Sequence, residues 1–97
     1  MLVAPGGFVL DVRAHEVRVG GAPVTTTPRE FDVLRLLLER RGEVLTSDVI
    51  STQIWGYETF GSHNFVEAQL SRLRAKLRAA GALDTITTVR GVGYVVR

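Results

Sequence analysis

The stretch 64–78, with the sequence NFVEAQLSRLRAKLR, constrains the fold most, because its apolar residues recur at helical spacing. Four of them share one side of the predicted helix: Val66, Leu70, Leu73 and Leu77. This side must pack against a core. The opposite side combines small side chains with positive charge, namely Asn64, Ala68, Ser71, Arg72, Ala75 and Ala79, flanked by Arg74, Lys76 and Arg78. Such a face suits a polyanion, and it also suits a merely solvated helix.

The composition narrows the class of protein. The chain has 97 residues, which is enough for one domain with its own core. It has no cysteine, which excludes disulfides and thiolate metal sites and fits a reducing compartment. It has neither an apolar run long enough to span a bilayer nor the build of a signal peptide. The sequence therefore predicts a soluble, cytoplasmic protein without a membrane role.

Positive charge is concentrated in the C-terminal part of the chain. From residue 62 onward there are six basic and two acidic side chains, a net charge of +4. Residues 1–61 carry six arginines and eight acids, a net charge of −2. This asymmetry indicates an anionic partner for one face only, as expected for DNA.

Residues 1–26 are predicted to form a small antiparallel sheet. Four short runs, at 1–4, 8–12, 16–19 and 24–26, are apolar or β-branched and are separated by glycine and proline. Gly20-Gly21 has the composition of a tight hairpin turn.

The first of three predicted helices covers about residues 28–41. Thr27 can cap it, Pro28 fits the first helical position, and Glu30 completes a capping box. Gly42 is placed to end the helix.

The second and third helices are predicted at about 47–55 and 62–80. Thr46 or Ser47 can cap the second helix, and Ser62 can cap the third. Between them lies a loop longer than a tight turn needs.

The last residues, about 85–97, form two β-rich runs around a glycine-containing turn with Arg90 at its bend. The order of elements predicts an α+β fold: a winged helix-turn-helix with an N-terminal antiparallel β-sheet, three helices and a C-terminal β-hairpin wing. In helix-turn-helix proteins the later helix docks in the major groove of DNA.

Four motifs in this order resemble the OmpR/PhoB-type winged-helix effector domains of bacterial response regulators. They are T-P-R-E-F at 27–31, V-L-T at 44–46 with I-W-G at 54–56, N-x-V-E-x-x-L-x-R-L-R-x-K at 64–76, and T-V-R-G-V-G-Y at 88–94. The resemblance implies sequence-specific binding of double-stranded DNA within a two-component system, as a tandem dimer on promoter direct repeats. It also implies contact with RNA polymerase holoenzyme and control by an N-terminal receiver domain outside this chain.

The resemblance also implies roles for individual residues. Arg72 would reach base edges or adjacent phosphates in the major groove, Arg74 would contact phosphate, and Arg90 would enter or skirt the minor groove. The full set comprises Asn64, Ala68, Gln69, Ser71, Arg72, Arg74 and Lys76 on the third helix, and Thr88 and Arg90 on the wing. Gln69 and Ser71 depart from the His and Arg common in relatives, so the DNA sequence read is expected to differ.

The loop between the second and third helices is expected, by the same resemblance, to contact RNA polymerase. Its residues are Tyr57, Glu58, Thr59 and Phe60.

Some alternatives stay open at the level of sequence. The whole domain could be a protein-interaction module without specific DNA binding. Arg74 could pair with Glu67 or another acid, and Arg90 could be a solvated turn residue. Neither His15 nor His63 has a second ligand at metal spacing, so no metal, cofactor or enzymatic activity is predicted.

Overall fold

The computed structural model describes residues 2–3, 8–56, 63–82 and 85–97. Its elements are β1 (Leu2–Val3), β2 (Phe8–Asp11), β3 (Glu16–Val19), β4 (Ala22–Val24), α1 (Pro28–Glu39), α2 (Ser47–Trp55), α3 (His63–Ala79), β5 (Thr87–Val89) and β6 (Gly93–Val95). An antiparallel sheet, three helices and a closing hairpin confirm the predicted winged helix-turn-helix. In the described part of the chain, no helix is both long and apolar enough to cross a membrane.

The N-terminal sheet is antiparallel with strand order β1-β2-β3-β4. Side chains alternate along its strands, so Phe8 and Leu10 of β2 are buried together with Val17 and Val19 of β3. The intervening residues of both strands face outward. One face of this sheet therefore covers the core.

The turn between β3 and β4 is made by Gly20-Gly21, whose φ angles are 58° and 84°. Positive φ at both positions is the requirement of a type I′ hairpin turn, and glycine meets it without steric cost. The turn sets Ala22 opposite Val19. The fourth strand is therefore Ala22–Val24 and ends where the predicted run at 24–26 begins.

A closed capping box starts α1. The Thr27 hydroxyl accepts the Glu30 N–H at 3.1 Å, and the Glu30 carboxylate accepts the Thr27 N–H at 2.8 Å. The helix ends at Glu39, two residues before the predicted end, because Arg40 leaves helical geometry at φ −111° and ψ 37°. Gly42, at φ +86°, then donates its N–H to the Val96 carbonyl at 2.8 Å.

The apolar side of α3 lies in the core, as its spacing predicts. Each member of the stripe is at most 1% exposed: Val66, Leu70, Leu73 and Leu77. They pack in one cluster with apolar residues of α1, α2 and the sheet. Since this side is fully committed to packing, only the opposite side of α3 is available to a partner.

The hairpin β5–β6 is joined to the chain segment before α2. Leu45 and Tyr94 exchange backbone hydrogen bonds of 2.8 and 2.9 Å, so the segment pairs with β6 and lies beside the hairpin as a third extended segment. At Gly93 the backbones are so close that a Cβ would lie 2.1 Å from the Leu45 carbonyl oxygen. Only glycine fits there, and this contact fixes the hairpin beside the helices.

Candidate nucleic-acid interface

The outward side of α3 is a surface of small and basic residues. Its exposed members are mostly small, with two basic side chains and one acidic one: Glu67, Ala68, Ser71, Arg72, Ala75, Arg78 and Ala79. Alanine and serine project little from a helix, so a partner can approach the backbone closely. Arg72 is the long side chain nearest the middle of this row of small residues.

The arginines of this surface are free to bind. Within the described ranges, the guanidinium of Arg72 has no hydrogen-bond or ion-pair partner, and the same holds for Arg78 and Arg90. Arginine presents five N–H donors in a planar fork that suits guanine edges and phosphates. Because these arginines are exposed and unpaired within the described ranges, they can bind a partner without first breaking an ion pair.

Arg74 lies on the flank of α3 that faces the wing. Its guanidinium is 5.7 Å from the centre of the Tyr94 ring, and Nη2 donates to the Thr88 hydroxyl. Thr88 and Tyr94 are cross-strand partners in β5 and β6, so one arginine covers both. The Arg74 Nε is buried without a hydrogen-bond partner among the described residues. The alternative ion pair with Glu67 is not the one formed; Arg74 instead ties α3 to the wing.

The phenol of Tyr94 lies under this contact. Burial, reinforced by the negative charge of Glu67, raises the pKa of Tyr94, while Arg74 and a hydrogen bond with Ser47 act in the opposite direction. The net shift is upward, so Tyr94 is neutral at physiological pH. Its ring forms an apolar floor between α3 and the wing.

The tip of the wing is exposed and basic. Arg90 is exposed, and Gly91 follows it at φ +74°, a conformation that lets the chain turn back toward β6. The Val92 N–H closes the turn by donating to the Val89 carbonyl at 3.0 Å. Val92 itself is 54% exposed, so the tip presents an apolar side chain beside a positive one.

Lys76 lies on the opposite flank of α3 and points to α1. Its Nζ is 2.6 Å from Oε1 of Glu30, a residue that is only 3% exposed. The same oxygen accepts the Thr27 N–H of the capping box. Sequence reasoning assigned Glu30 to the cap alone, because no local pattern signals a partner 46 positions away.

The electrostatics of Glu30 follow from this contact. Burial raises the pKa of its carboxyl, but the hydrogen bonds and charge of Lys76 and the hydrogen bonds within the capping box outweigh it. The pKa of Glu30 is therefore lowered below its ordinary value of 4.5. Glu30 is ionised at neutral pH and holds the ammonium of Lys76 against α1.

Two grooves border the wing, and they differ in charge. A groove of about 390 Å³ between α3 and β5 is lined by Arg74 and Arg78 and by threonines including Thr88. A second, of about 420 Å³, lies between the start of α2 and the wing and carries Asp48 and Glu67. The charged side chains of the first groove are therefore positive and those of the second are negative.

The remaining predicted site residues lie on α3 or outside the described residues. Asn64 lies in α3, but its side chain is outside the described set; Gln69 is half-buried on the same helix. The predicted polymerase-contact loop, Tyr57, Glu58, Thr59 and Phe60, lies outside the described residues, as does the predicted cap Ser62.

The described residues include no group of three or more His, Asp or Glu side chains suited to a metal ion. His15 is explained by packing. It adopts φ 55°, and its ring stacks on Phe31 with centroids 3.8 Å apart.

A helix with one buried side, a small and basic opposite side, and a basic hairpin beside it defines a winged-helix nucleic-acid-binding protein. Comparison with known proteins gives the family. Residues 21–96 match the family described as "Transcriptional regulatory protein, C terminal".

Curated relatives of this family are response regulators. The chain is 45% identical over 91 residues to the response regulator ArlR of Staphylococcus saprophyticus, covering 94% of this chain and 41% of that protein. It is 36% identical over 96 residues to ArlR of Staphylococcus aureus, covering 99% of this chain and 44% of that protein. The chain thus spans less than half the length of these relatives.

Solved structures agree. The DNA-binding domain of Klebsiella pneumoniae RstA, in complex with the RstA box, superposes with a TM-score of 0.85 at 29% identity, covering 98% of this chain and 95% of that one. The DNA-binding domain of Escherichia coli CpxR gives 0.84 at 25% identity, with 99% and 95% covered. The chain belongs to the OmpR/PhoB-type winged-helix DNA-binding domains of bacterial response regulators. This family is one of transcription factors, not enzymes.

Proposed function

We propose that this domain reads double-stranded DNA by placing the exposed side of α3 in the major groove and the tip of the wing at the minor groove. The observation that carries the proposal is the exposed guanidinium of Arg72, which has no partner among the described residues and lies between small residues on a helix whose other side is fully buried. A surface of this shape and charge can enter a groove and pair with base edges.

Arg72 is the main base-reading residue in this proposal. A bidentate contact from arginine to O6 and N7 of guanine discriminates by about 1 to 3 kcal/mol. Ala68 and Ser71 let the helix approach, and Ala68 can contact a thymine methyl. Gln69 and Ser71 set this protein's preference apart from those of relatives that carry His and Arg there.

Phosphate contacts hold the helix in register. Arg74 and Thr88 share the rim of the basic groove between α3 and the wing. Arg90 extends the positive surface to the minor groove, and Asn64 at the start of α3 completes the set. Contacts of this type position a protein on DNA without specifying sequence.

The relatives support this mode. The DNA-binding domain of RstA, a structural neighbour over nearly the whole chain, was solved in complex with the RstA box. Because this chain shares that fold, it has the helix and the wing that a comparable complex with DNA requires.

Selection of bound sites from random duplexes with the purified domain tests the proposal. We expect a defined site to be enriched, with affinity that falls steeply as salt rises because phosphate contacts release counterions. Absence of enrichment together with salt-independent binding would replace this reading with that of a protein-interaction module.

The wider setting is also a proposal. The curated relatives are response regulators more than twice as long as this chain. We infer that this domain acts in the cytoplasm under an N-terminal receiver, as a tandem dimer on direct repeats, with RNA polymerase contacted through residues 57–60. Substituting Tyr57 or Phe60 should then reduce transcription activation and leave DNA affinity unchanged; an equal loss of both would remove the polymerase contact from the proposal.

A further inference from the structure

The two basic residues that flank the outward side of α3 are held by different parts of the molecule. Arg74 and Lys76 are two positions apart and therefore about 200° apart around the helix. Arg74 is held by the exposed Thr88 of the wing. Lys76 is held by Glu30, which is 3% exposed and belongs to the capping box of α1.

The contact between Lys76 and Glu30 joins two helices at one carboxylate oxygen. Oε1 of Glu30 accepts both the Lys76 ammonium at 2.6 Å and the Thr27 N–H at 2.8 Å. The start of α1 and the C-terminal half of α3 thus share one acceptor. Leu73 and Leu77 on either side of Lys76 are buried, so the contact lies at the edge of the packed side of α3 and joins it to α1.

We propose that Lys76 is a positioning residue for DNA recognition: it ties α3 to the capping box of α1 through Glu30 and does not contact DNA. The proposal rests on the DNA-reading mode given above. The proposal gives Lys76 a different role from Arg72, Arg74 and Arg78, although the sequence pattern groups the four residues together.

The energetics favour retention of this pair when DNA binds. A lysine that turned to a phosphate would only exchange one anionic partner for another. It would leave behind a buried carboxylate without its cation, which is strongly unfavourable. The pair is therefore kept, and its effect on DNA binding is exerted through the orientation of α3.

Glu30→Gln, Lys76→Met and Lys76→Arg test this assignment. Glutamine is also found at this position of capping boxes, so Glu30→Gln removes the charge and keeps the cap acceptor. Methionine keeps the apolar stem of Lys76, and arginine restores the cation. Each variant is measured for affinity to the selected duplex and to a scrambled duplex across a range of salt, after circular dichroism has shown it to be folded.

We expect Lys76→Met and Glu30→Gln each to lower the ratio of specific to non-specific affinity by about five- to tenfold, the low end of the cost of one mismatched base pair. The salt slope should stay at the wild-type value in both. The double variant should be no worse than either single one, and Lys76→Arg should recover most of the ratio.

Two results would overturn the assignment. A salt slope lower by about 0.9 in Lys76→Met but not in Glu30→Gln would identify Lys76 as a phosphate contact. A fall in thermal stability with an unchanged affinity ratio would identify a purely stabilising ion pair. Failure of the proposed function itself is distinct, because the wild-type domain would then lack any preference between the two duplexes.

Discussion

The two flanks of α3 carry cations of equal charge in contrasting environments. On the wing flank, Arg74 is half-buried over Tyr94 and donates a hydrogen bond to the exposed hydroxyl of Thr88. On the α1 flank, the ammonium of Lys76 forms an ion pair with the buried carboxylate of Glu30. A neutral, exposed hydroxyl can be exchanged for a phosphate, whereas a buried carboxylate cannot be left unpaired. We therefore infer that the flank of Arg74 serves DNA binding and that the flank of Lys76 anchors the helix.

The wing flank depends on a backbone contact that can be broken at Gly93. We expect Gly93→Ala to destabilise the domain by about 3 kcal/mol, since its Cβ would lie 2.1 Å from the Leu45 carbonyl oxygen and the hairpin would have to move. Urea denaturation followed by circular dichroism measures this cost.

Gly91→Ala is the matched control for that substitution. Position 91 has φ +74° and open space around it, so the expected cost is the backbone term alone, about 1 to 2 kcal/mol. An equal or smaller cost at Gly93 than at Gly91 would show that the hairpin is not held by Leu45.

The anchoring flank can be measured by a double-mutant cycle. We expect Lys76→Met to cost about 1 to 2 kcal/mol of stability, because it leaves a buried carboxylate with only its capping hydrogen bonds. Glu30→Gln should make the second substitution nearly neutral, giving a coupling energy of similar size. Arg35 and Glu39, an exposed i,i+4 pair at 3.4 Å, provide the control cycle, with an expected coupling below about 0.5 kcal/mol. Equal couplings in the two cycles would erase the contrast between anchored and solvated pairs.

The binding flank is expected to respond in DNA affinity and little in stability. Arg74→Met keeps a stem over Tyr94 and should change the free energy of unfolding by less than about 1 kcal/mol. The salt slope of DNA binding should fall by about 0.9, as for one lost phosphate contact. A wild-type slope for this variant would place Arg74 with Lys76 among the anchors.

The smallest expected effect is a dependence of stability on acid. The pKa of Glu30 is lower in the folded domain than its ordinary value of 4.5, so the unfolded chain takes up the proton first. The stabilisation by ionised Glu30 is complete above about pH 4.5 and is lost as the pH falls through the lower folded value. Glu30→Gln should therefore show a shallower loss of stability below pH 4.5 than wild type in acid titrations of the urea midpoint. Parallel curves would show that Glu30 is not stabilised in its charged form.

Local features of the fold could be predicted from sequence. The capping box at Thr27 and Glu30 needs only residues three apart, and the α3 stripe needs only helical spacing. The Gly20-Gly21 pair predicted the tight hairpin turn that it forms. Each of these depends on interactions within one element, and each is present in the structure.

Contacts between distant elements could not be predicted in the same way. On a helical wheel Arg74 and Lys76 look alike, each beside the apolar stripe, and what separates them is a partner on another element. The pairing of Leu45 with Tyr94 is likewise absent from any local pattern, and the sequence assigned Gly93 to the turn of the hairpin, whereas the structure places it in close contact with the backbone of Leu45. Sequence therefore identified the surface that faces outward but not which of its cations are already committed.

Arg72 tests the central claim most directly, because it is exposed and has no hydrogen-bond or ion-pair partner among the residues that the structure describes. The measurement is the affinity of wild type and Arg72→Ala for the selected duplex and for duplexes changed at one base pair at a time. We expect Arg72→Ala to remain folded, to bind the selected duplex about tenfold more weakly, and to lose its preference at one base pair. Unchanged affinity and an unchanged preference at every position would contradict the claim that this face of α3 reads DNA.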